Sequence, residues 1–327
     1  MNLGILGVGG WGVNHVRTFS SLLGEESVTV VDPDPSRREA VRAAHPRVAT
    51  IAESPPWEAL DAVVIAAPAV LHHRLARQAL RSGLHVLVEK PIALTSAEAR
   101  ELIELAEQRG CVLMVDHLLE YHPAIVRLKA LIEQGELGRI YHMTSQRLNL
   151  GVIRTEENAL WSLAPHDISI ILYLLDREPV SVTAHGAAYL QPEIPDLAHL
   201  TMTFADGTLA HVHVSWLDPI RTRCLRVIGE RAMAVFDDTA ENKLVFHQKR
   251  AAYADGRYVP APGEATVVPI GDTEPLRAVA ETFLRSIETR EQPRTDGHDG
   301  LRVVRILEAA QESMDTCGVP VRLERNP

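Results

Sequence analysis

The chain has 327 residues, 46% of them hydrophobic and 23% charged, which is ordinary for a globular protein and predicts two domains rather than one core. Its formal net charge of -10 argues against nucleic acid as a partner, because binding to a phosphate backbone needs a basic surface. The three cysteines form no CxxC pair, no apolar run reaches the about 18 residues of a membrane span, and the first residues already read as a strand. These features predict a cytoplasmic protein that is not held in a membrane.

The chain begins with a pattern typical of a dinucleotide site. An apolar strand, Leu3 to Leu6, runs directly into a glycine-rich loop, and a helix is predicted from Trp11 to Leu22. Glycines allow the tight turn and the close approach of a pyrophosphate, which would lie at the positive amino end of the helix. The loop residues that we expect to bind the cofactor are Gly7, Gly9, Gly10, Trp11 and Gly12.

A second predicted strand, Ser27 to Val31, ends in Asp32. Asp32 lies 20 residues beyond Gly12, the spacing at which a carboxylate accepts hydrogen bonds from the hydroxyl groups of the adenosine ribose. A carboxylate there would repel the 2'-phosphate of NADP, so NAD is the favoured cofactor. Arg37 and Arg38 follow closely and leave NADP open as an alternative.

Strands and helices then alternate as far as residue 118. Strands are predicted over 62–66, 85–88 and 111–115, and helices over 71–82 and 96–109. This alternation predicts a doubly wound parallel sheet, a Rossmann domain, over residues 1–118. Ligands of such sheets bind beyond the carboxyl ends of the strands, and the residues that fall there are Gly7, Asp32, Pro68, Glu89, Asp116 and His117.

Lys90 lies at this same predicted edge, in Glu89-Lys90-Pro91, and it is one of only four lysines in the chain. A lysine there would lie where a nicotinamide meets its substrate, which predicts redox chemistry. Lys90 is therefore a candidate for both catalysis and cofactor binding. We expect Glu89 to orient Lys90 or the nicotinamide ribose.

The pattern changes after residue 118 and predicts a second domain over 119–327, for substrate binding and oligomerisation. Strand patterns recur between residues 140 and 248, Asp206-Gly207 predicts a hairpin turn, and 253–264 reads as a loop. Helices are predicted over 123–134, 165–175, 275–289 and 300–316.

His166 is the second candidate catalytic residue. Pro165 suits the first turn of a helix, so the helix is predicted to begin there, with His166 near its positive amino end. That field would disfavour the imidazolium and keep the ring neutral, as a general base requires.

Four features give the chain a family resemblance: the glycine loop, Ala67-Pro68 with His72, Glu89-Lys90-Pro91, and His166 on a later helix. Over essentially its whole length the chain resembles the glucose-fructose oxidoreductase / inositol dehydrogenase / MocA family. The resemblance implies an α/β protein, with a Rossmann domain followed by an α+β domain on an open, mostly antiparallel sheet. It also implies a tightly bound nicotinamide cofactor with Ala67, Pro68 and His72 near it, sugar or polyol substrates, and a homodimer or homotetramer.

Two positions depart from the family pattern. Many members have Asn where this chain has Ala69, which removes one expected contact beside the cofactor. Many also have Asp four residues before the histidine, where this chain has Ser162. A carboxylate that would hold the tautomer of His166 is therefore missing at that position, and Asp167 cannot replace it because adjacent helix residues do not face each other.

The segment from Arg147 to Asp167 resembles the branch of this family that includes sugar-nucleotide 3-dehydrogenases. By this resemblance the substrate is UDP-N-acetylglucosamine or its uronic acid, and the alternatives are a free sugar, inositol or another polyol, or a non-catalytic NAD-binding sensor. His166 would take the hydroxyl proton while Lys90 hydrogen-bonds the same oxygen, although either residue could be the formal base. The residues expected to bind the substrate are His117, Tyr121, Arg147, Asn149, Arg154 and Ser162, with the arginines suited to a diphosphate or carboxylate.

His211 and His213 share one face of a predicted strand, a spacing that permits metal binding. No third ligand with suitable spacing follows them, so we predict no metal site. A sheet face packed in an oligomer interface is the favoured interpretation.

Overall fold

The computed structural model describes residues 1–51 and 55–324 of the chain. They form two compact units: the first holds Met1–Leu118 and Glu274–Val304, and the second holds Leu119–Thr273 and Arg305–Pro327, of which 325–327 lie outside the described residues. The expected domains, 1–118 and 119–327, remain a prediction, and the units differ from them because 274–304 belongs with the first unit. Across the described part of the chain, every helix is too short or too polar to cross a membrane.

The first unit contains a parallel sheet. Up to residue 118 the helices and strands are β1 (Leu3–Leu6), α1 (Gly12–Leu23), β2 (Val28–Val31), α2 (Pro35–Ala44), β3 (Ala49–Ile51), β4 (Ala62–Ile65), α3 (His72–Arg81), β5 (His85–Val88), α4 (Ser96–Arg109) and β6 (Leu113–Val115). The strand order is β3-β2-β1-β4-β5-β6, and all neighbours run parallel. The order reverses between β1 and β4, which is the doubly wound arrangement and confirms the predicted Rossmann fold.

The strands of this sheet are apolar because both of their faces are covered. All residues of β1 and β4 are buried, so neither strand alternates between polar and apolar positions. Helix α2 and strand β3 were not predicted. The start of α2 has a clear local signal: the Asp34 side chain accepts a hydrogen bond from the Ser36 amide, and Pro35 occupies the first turn.

The second unit contains a larger, mostly antiparallel sheet. From residue 119 the helices and strands are α5 (Pro123–Glu133), β7 (Ile140–Leu148), α6 (Ala159–Leu175), β8 (Ser181–Ala187), β9 (Leu197–Thr203), β10 (Leu209–Ser215), β11 (Thr222–Gly229), β12 (Met233–Asp237), β13 (Leu244–His247), β14 (Arg250–Ala254), β15 (Arg257–Ala261), β16 (Ala265–Val267), α7 (Pro275–Thr289), α8 (Gly297–Asp315) and β17 (Val321–Arg322). Of these, α7 and the part of α8 up to Val304 belong to the first unit. The sheet order is β16-β13-β12-β11-β7-β10-β9-β8-β17. Strands β7 and β10 run parallel and the other described neighbours antiparallel, which confirms the expected open, mostly antiparallel sheet.

Two turns show how glycine determines the hairpins of this unit. The predicted turn at Asp206-Gly207 is confirmed: it joins the antiparallel strands β9 and β10, and Gly207 has a φ of 86°. The predicted loop over 253–264 is wrong, because β14 and β15 pair as a hairpin. Asp255 (φ 50°) and Gly256 (φ 77°) make its turn, a sequence signal for hairpins that the loop interpretation overlooked.

Helix α6 begins earlier than predicted. It starts at Ala159, where the Asn158 side chain accepts a hydrogen bond from the Trp161 amide at 3.1 Å, and Pro165 lies inside the helix. The prediction of a helix starting at Pro165 was therefore wrong. His166 lies about two turns into α6, so the field of the helix amino end, which falls off within the first turn, does not keep its ring neutral.

Replacing Asn158 with Ala tests this helix start. Loss of an N-cap acceptor should lower the free energy of unfolding by about 1 kcal/mol in urea titrations. Asn158→Asp should keep the cap while losing the bond from the Asn158 side-chain amide to Gln311. An Ala variant no less stable than the Asp variant would contradict the assigned start.

Candidate active site

The carboxyl edge of the parallel sheet is fixed by hydrogen bonds that extend each strand pairing by one residue. Each amide just after a strand donates to the last carbonyl of its neighbour: Gly7 to Val31 at 2.8 Å, Ala66 to Leu6 at 2.9 Å, Glu89 to Ile65 at 2.9 Å and Asp116 to Val88 at 2.8 Å. The sheet therefore brings the predicted cofactor residues of the first unit to one edge, as its topology requires.

The glycine loop fits a dinucleotide. A Cβ on Gly7 would lie 2.8 Å from the Ala66 carbonyl oxygen, and one on Gly12 would lie 2.1 Å from the Gly7 oxygen, so the fold itself requires these two glycines. A Cβ on Gly10 would meet no atom within 4 Å, which leaves this side of the loop open to a ligand. Helix α1 has no acidic residue in its first turn. Its amino end therefore suits a pyrophosphate.

Asp32 is a buried acid that supports the same loop. It is 1% exposed, its Oδ2 accepts the Val8 amide at 2.8 Å, and its Oδ1 accepts the Asp34 amide at 2.8 Å. Arg37 Nη1 lies 3.6 Å from Oδ2, while Arg38 Nη1 donates to the carbonyls of Asp32 and Pro33. Arg38 is thus already engaged by the backbone, which weakens its case as a ligand for the 2'-phosphate of NADP.

One further predicted cofactor residue, His72, connects the loops after β4 and β5. The His72 ring is 1% exposed, with Nδ1 2.7 Å from the Pro91 carbonyl oxygen and Nε2 2.8 Å from the Ala67 oxygen. Burial lowers the pKa of His72, against the effect of these two carbonyls. Both ring nitrogens face carbonyl oxygens of the unit, and a neutral ring donates to one of them, so His72 links the two loops. Its contact with the cofactor stays a prediction. Pro68 and Trp11 are exposed, and Ala67 is half-buried.

Lys90 is half-buried, its peptide bond to Pro91 is cis, and its charge is among the causes that lower the pKa of Glu89. Glu89 also contacts His15, which the sequence did not single out although it lies three residues after Gly12 on α1. His15 Nε2 lies 3.0 Å from Glu89 Oε1 and 3.4 Å from Asp116 Oδ2. His15 and Asp116 thus form a buried group of ionisable side chains with Glu89, the residue before Lys90.

His117 forms a buried pair with an acid on α8. Its Nδ1 lies 2.7 Å from Asp299 Oδ2, with side-chain exposures of 0% and 2%. Burial raises the pKa of Asp299, but the bond from His117 and the charges of His117 and Arg302 outweigh it, and the net pKa is lowered. An ionised Asp299 fixes the tautomer with a proton on Nδ1. The expected contact between His117 and substrate remains a prediction.

In the second unit, Arg147 is paired internally. Its Nε donates to Asp167 Oδ2 at 2.7 Å and Nη2 donates to Oδ1 at 3.3 Å, while the Ser145 hydroxyl donates to the same carboxylate. The side chains of Arg147 and Asp167 are only 11% and 2% exposed. Asp167 therefore already supplies the opposite charge that a diphosphate was expected to provide.

The other predicted substrate residues of the second unit differ in exposure. Arg154 is 53% exposed, with Nε 3.5 Å from Glu157 Oε1. Asn149 is exposed, Tyr121 and Ser162 are buried, and His166 is half-buried on α6. Ser162 lies one turn before His166 on the same helix, so it shares the face on which many family members carry an acid.

Replacing Asp32 with Ser tests its proposed contact with the adenosine ribose. Removing the carboxylate should weaken NAD binding and shift the NADP-to-NAD affinity ratio toward NADP by about tenfold or more, or about 1.4 kcal/mol. Fluorescence titration with both reduced cofactors measures the ratio. Asp34→Ser, on the same loop but with a side chain that can still cap α2, should leave it unchanged. Equal weakening for both cofactors would assign Asp32 a purely structural role.

The Arg147–Asp167 pair should stabilise the second unit strongly. Asp167→Asn leaves a buried guanidinium without its counter-charge, which should lower the free energy of unfolding by about 3–5 kcal/mol. Glu157→Gln, which breaks the exposed pair with Arg154, should cost about 1 kcal/mol or less. Urea titrations that gave both variants the same small loss would contradict the structural role of Arg147.

Comparison with known proteins agrees with this architecture. Residues 1–117 match the model of an oxidoreductase family with an NAD-binding Rossmann fold, and residues 125–235 match the GFO/IDH/MocA C-terminal domain. The chain is 30% identical over 312 residues to the UDP-N-acetylglucosamine 3-dehydrogenase of Acidithiobacillus ferrooxidans, covering 93% of this chain and 94% of that protein. A solved structure of the same-named enzyme from that organism superposes with a TM-score of 0.83 at 28% identity, covering 97% and 98% of the two chains.

The inositol 2-dehydrogenase of Rhizobium meliloti is 26% identical, covering 96% of this chain and 97% of that protein. The matched Rossmann domain makes NAD the cofactor and residues 1–117 the part of the chain that binds it. The two family models match the two parts of the chain in order, and similarity extends over nearly its full length. The chain therefore belongs to the GFO/IDH/MocA family of NAD-dependent oxidoreductases.

Proposed function

We propose that this protein is an NAD-dependent dehydrogenase that oxidises a secondary hydroxyl of a sugar, with C3 of UDP-N-acetylglucosamine or its uronic acid as the substrate position. The observation that carries the proposal is the similarity along 93% of the chain to a UDP-N-acetylglucosamine 3-dehydrogenase, at 30% identity. The half-buried Lys90 at the carboxyl edge of the Rossmann sheet supports the reaction type.

In the proposed mechanism, NAD supplies the hydride acceptor when it is bound. The Lys90 ammonium donates a hydrogen bond to the substrate hydroxyl oxygen and stabilises the negative charge that develops there. His166 accepts the hydroxyl proton as general base. Ser162 is the side chain one turn before His166 and takes the position of the family's acid, so its hydroxyl is proposed to orient the imidazole.

Recognition of the nucleotide would depend mainly on Arg154. Arg154 is 53% exposed, whereas the Arg147 guanidinium is held by the buried Asp167. A bidentate contact with a diphosphate needs an arginine that can reach solvent, and this favours Arg154 over Arg147.

A second candidate substrate is a free polyol such as inositol. The pairing of Arg147 with Asp167 removes one of the two arginines expected to bind a diphosphate. An inositol 2-dehydrogenase is also similar over 96% of the chain, at 26% identity.

Incubation with NAD and, separately, UDP-N-acetylglucosamine, its uronic acid and myo-inositol distinguishes the candidates. NADH fluorescence and mass spectrometry of the product should show a 3-keto sugar nucleotide. Single-turnover measurements are needed as well, because a retained cofactor would hide slow turnover. Absence of NADH and of 3-keto product with both nucleotides would rule out the first substrate, and absence with all three compounds would leave another sugar or polyol, or the non-catalytic sensor.

Lys90→Met and His166→Asn should each lower kcat by about 10²–10⁴-fold on the true substrate, since each removes a group that acts on the reacting oxygen. NADH binding, measured by fluorescence, should remain within a few-fold in the His166 variant. Lys249→Met and His45→Asn, at positions outside the proposed site, serve as matched controls and should keep normal kcat. Full activity in Lys90→Met would refute the mechanism.

A further inference from the structure

Behind the Lys90 loop, three buried ionisable side chains meet. His15 comes from α1, Glu89 from the residue after β5, and Asp116 from the residue after β6. Nε2 of His15 lies 3.0 Å from Glu89 Oε1 and 3.4 Å from Asp116 Oδ2. The residues are 0%, 8% and 0% exposed, respectively. We call these three residues the buried cluster.

The three side chains of the buried cluster must hold protons that offset the negative charges of its two carboxylates. Two carboxylates this close repel each other in a medium of low dielectric constant, and a neutral imidazole would not relieve them. An imidazolium between them compensates one negative charge, and a proton on one carboxylate removes the other. The buried cluster therefore changes between a net charge of about zero and -1 when a single proton leaves.

The surroundings assign that proton to Asp116. Burial, and then the charge of Glu89, raise the pKa of Asp116 to about 7, against the opposing charges of His15 and His117. Burial acts to raise the pKa of Glu89, but the bond from His15 and the charges of His15, Lys90 and His72 lower it overall. Burial acts to lower the pKa of His15, but Glu89 and Asp116 outweigh burial and raise it.

The buried cluster is connected to Lys90 through Glu89. Glu89 immediately precedes Lys90, and its amide donates to the Ile65 carbonyl at 2.9 Å, which fixes the backbone at this point. On the other side of Lys90, the Pro91 carbonyl contacts the buried His72 ring. The groups that face the buried cluster are therefore Lys90 and His72 beside Glu89, and His117, itself bound to Asp299, beside Asp116.

We propose that His15 and Asp116 are positioning residues for Lys90: His15 holds Glu89 as an imidazolium, and ionisation of Asp116 sets the negative charge behind the Lys90 ammonium. This inference rests on the proposed role of Lys90 at the reacting oxygen. With Asp116 ionised, the added negative charge changes the electrostatic environment of the Lys90 ammonium. The pH profile of activity should therefore contain a step at the ionisation of Asp116.

The direct test is the NMR signal of Lys90 in the full-length protein saturated with NAD. The chain has only four lysines, Lys90, Lys129, Lys243 and Lys249, so labelling at the lysine ε-carbon gives four signals, and Lys90→Arg identifies the relevant one. The Lys90 signal should shift with a midpoint near pH 7, at the pKa of Asp116. Asp116→Asn should abolish this shift.

His85→Gln is the matched control, because His85 begins the strand that Glu89 follows and lies at its opposite end. This variant should keep the titration of Lys90. A wild-type signal without a midpoint between about pH 5 and 9 would overturn the proposal, as would a midpoint that persists in Asp116→Asn.

A double-mutant cycle separates charge from packing. His15→Gln leaves two carboxylates facing each other, so it should lower Tm more at pH 8, where Asp116 is ionised, than at pH 6. Adding Asp116→Asn should restore part of the lost stability, because it removes one of the two facing carboxylates. Additive losses that do not depend on pH would overturn the proposal and leave His15 with a packing role only.

The readouts also separate this inference from the proposed function. The NMR titration and the Tm cycle need no substrate, so they test the buried cluster even when no sugar is oxidised. Asp116→Asn should also remove the step near pH 7 from the pH profile of kcat/KM. Sugar oxidation without that step in the wild-type profile would refute only the inference about the buried cluster.

Discussion

Parallel strands that all end at the same edge of one sheet determine what the first unit can do. Because β1, β2, β4, β5 and β6 run in the same direction, the residue after each strand arrives at that edge regardless of its distance along the chain. His15 and Glu89 are 74 residues apart and His117 and Asp299 are 182 apart, yet each pair is in hydrogen-bond contact. The glycine loop, Asp32 and Lys90 are placed by the same geometry.

Such convergence has an electrostatic consequence. Residues that cap the strand ends are shielded by the loops around them, so their charges lose contact with water, at a cost of several kcal/mol per ion. The unit compensates by pairing: Glu89 with His15, and Asp299 with His117. Each pair fixes a tautomer or a protonation state, and the pair of Glu89 with His15 is proposed to position Lys90.

The second unit also pairs its buried charges, and there the pairing occupies an arginine that was expected to bind the substrate. Arg147 and Arg223 are cross-strand partners on β7 and β11, and each is paired with an aspartate, Asp167 or Asp238. In the sequence, Arg147 and Arg154 look like an anion site. Burial reverses that interpretation for Arg147, because a guanidinium that is 11% exposed needs its counter-charge within the protein. The half-exposed Arg154 is left as the candidate for the role that the sequence predicted for Arg147 and Arg154.

The sequence predictions that the structure confirms rest on local signals. Short apolar runs, the glycine loop and Asp206-Gly207 depend on neighbours within a few residues, and the structure confirms the Rossmann sheet and the hairpin. The errors arose where one local signal hid another. Pro165 suggested a helix start, although Asn158 is the residue that caps α6. Asp255-Gly256 was overlooked inside a segment interpreted as a loop, because that segment carries no regular alternation of polar and apolar residues.

By itself, the sequence determined the family of the chain, its cofactor and Lys90 as the residue to test, since motifs of fixed spacing encode them. Only the tertiary structure decided which charged side chains pair with one another. His15 joins Glu89 and Asp116, Asp299 holds His117, and Asp167 occupies Arg147. These choices depend on burial and on distances between residues far apart in the chain. The free energy of a charge is set by the atoms around it in three dimensions, which its position in the sequence does not reveal.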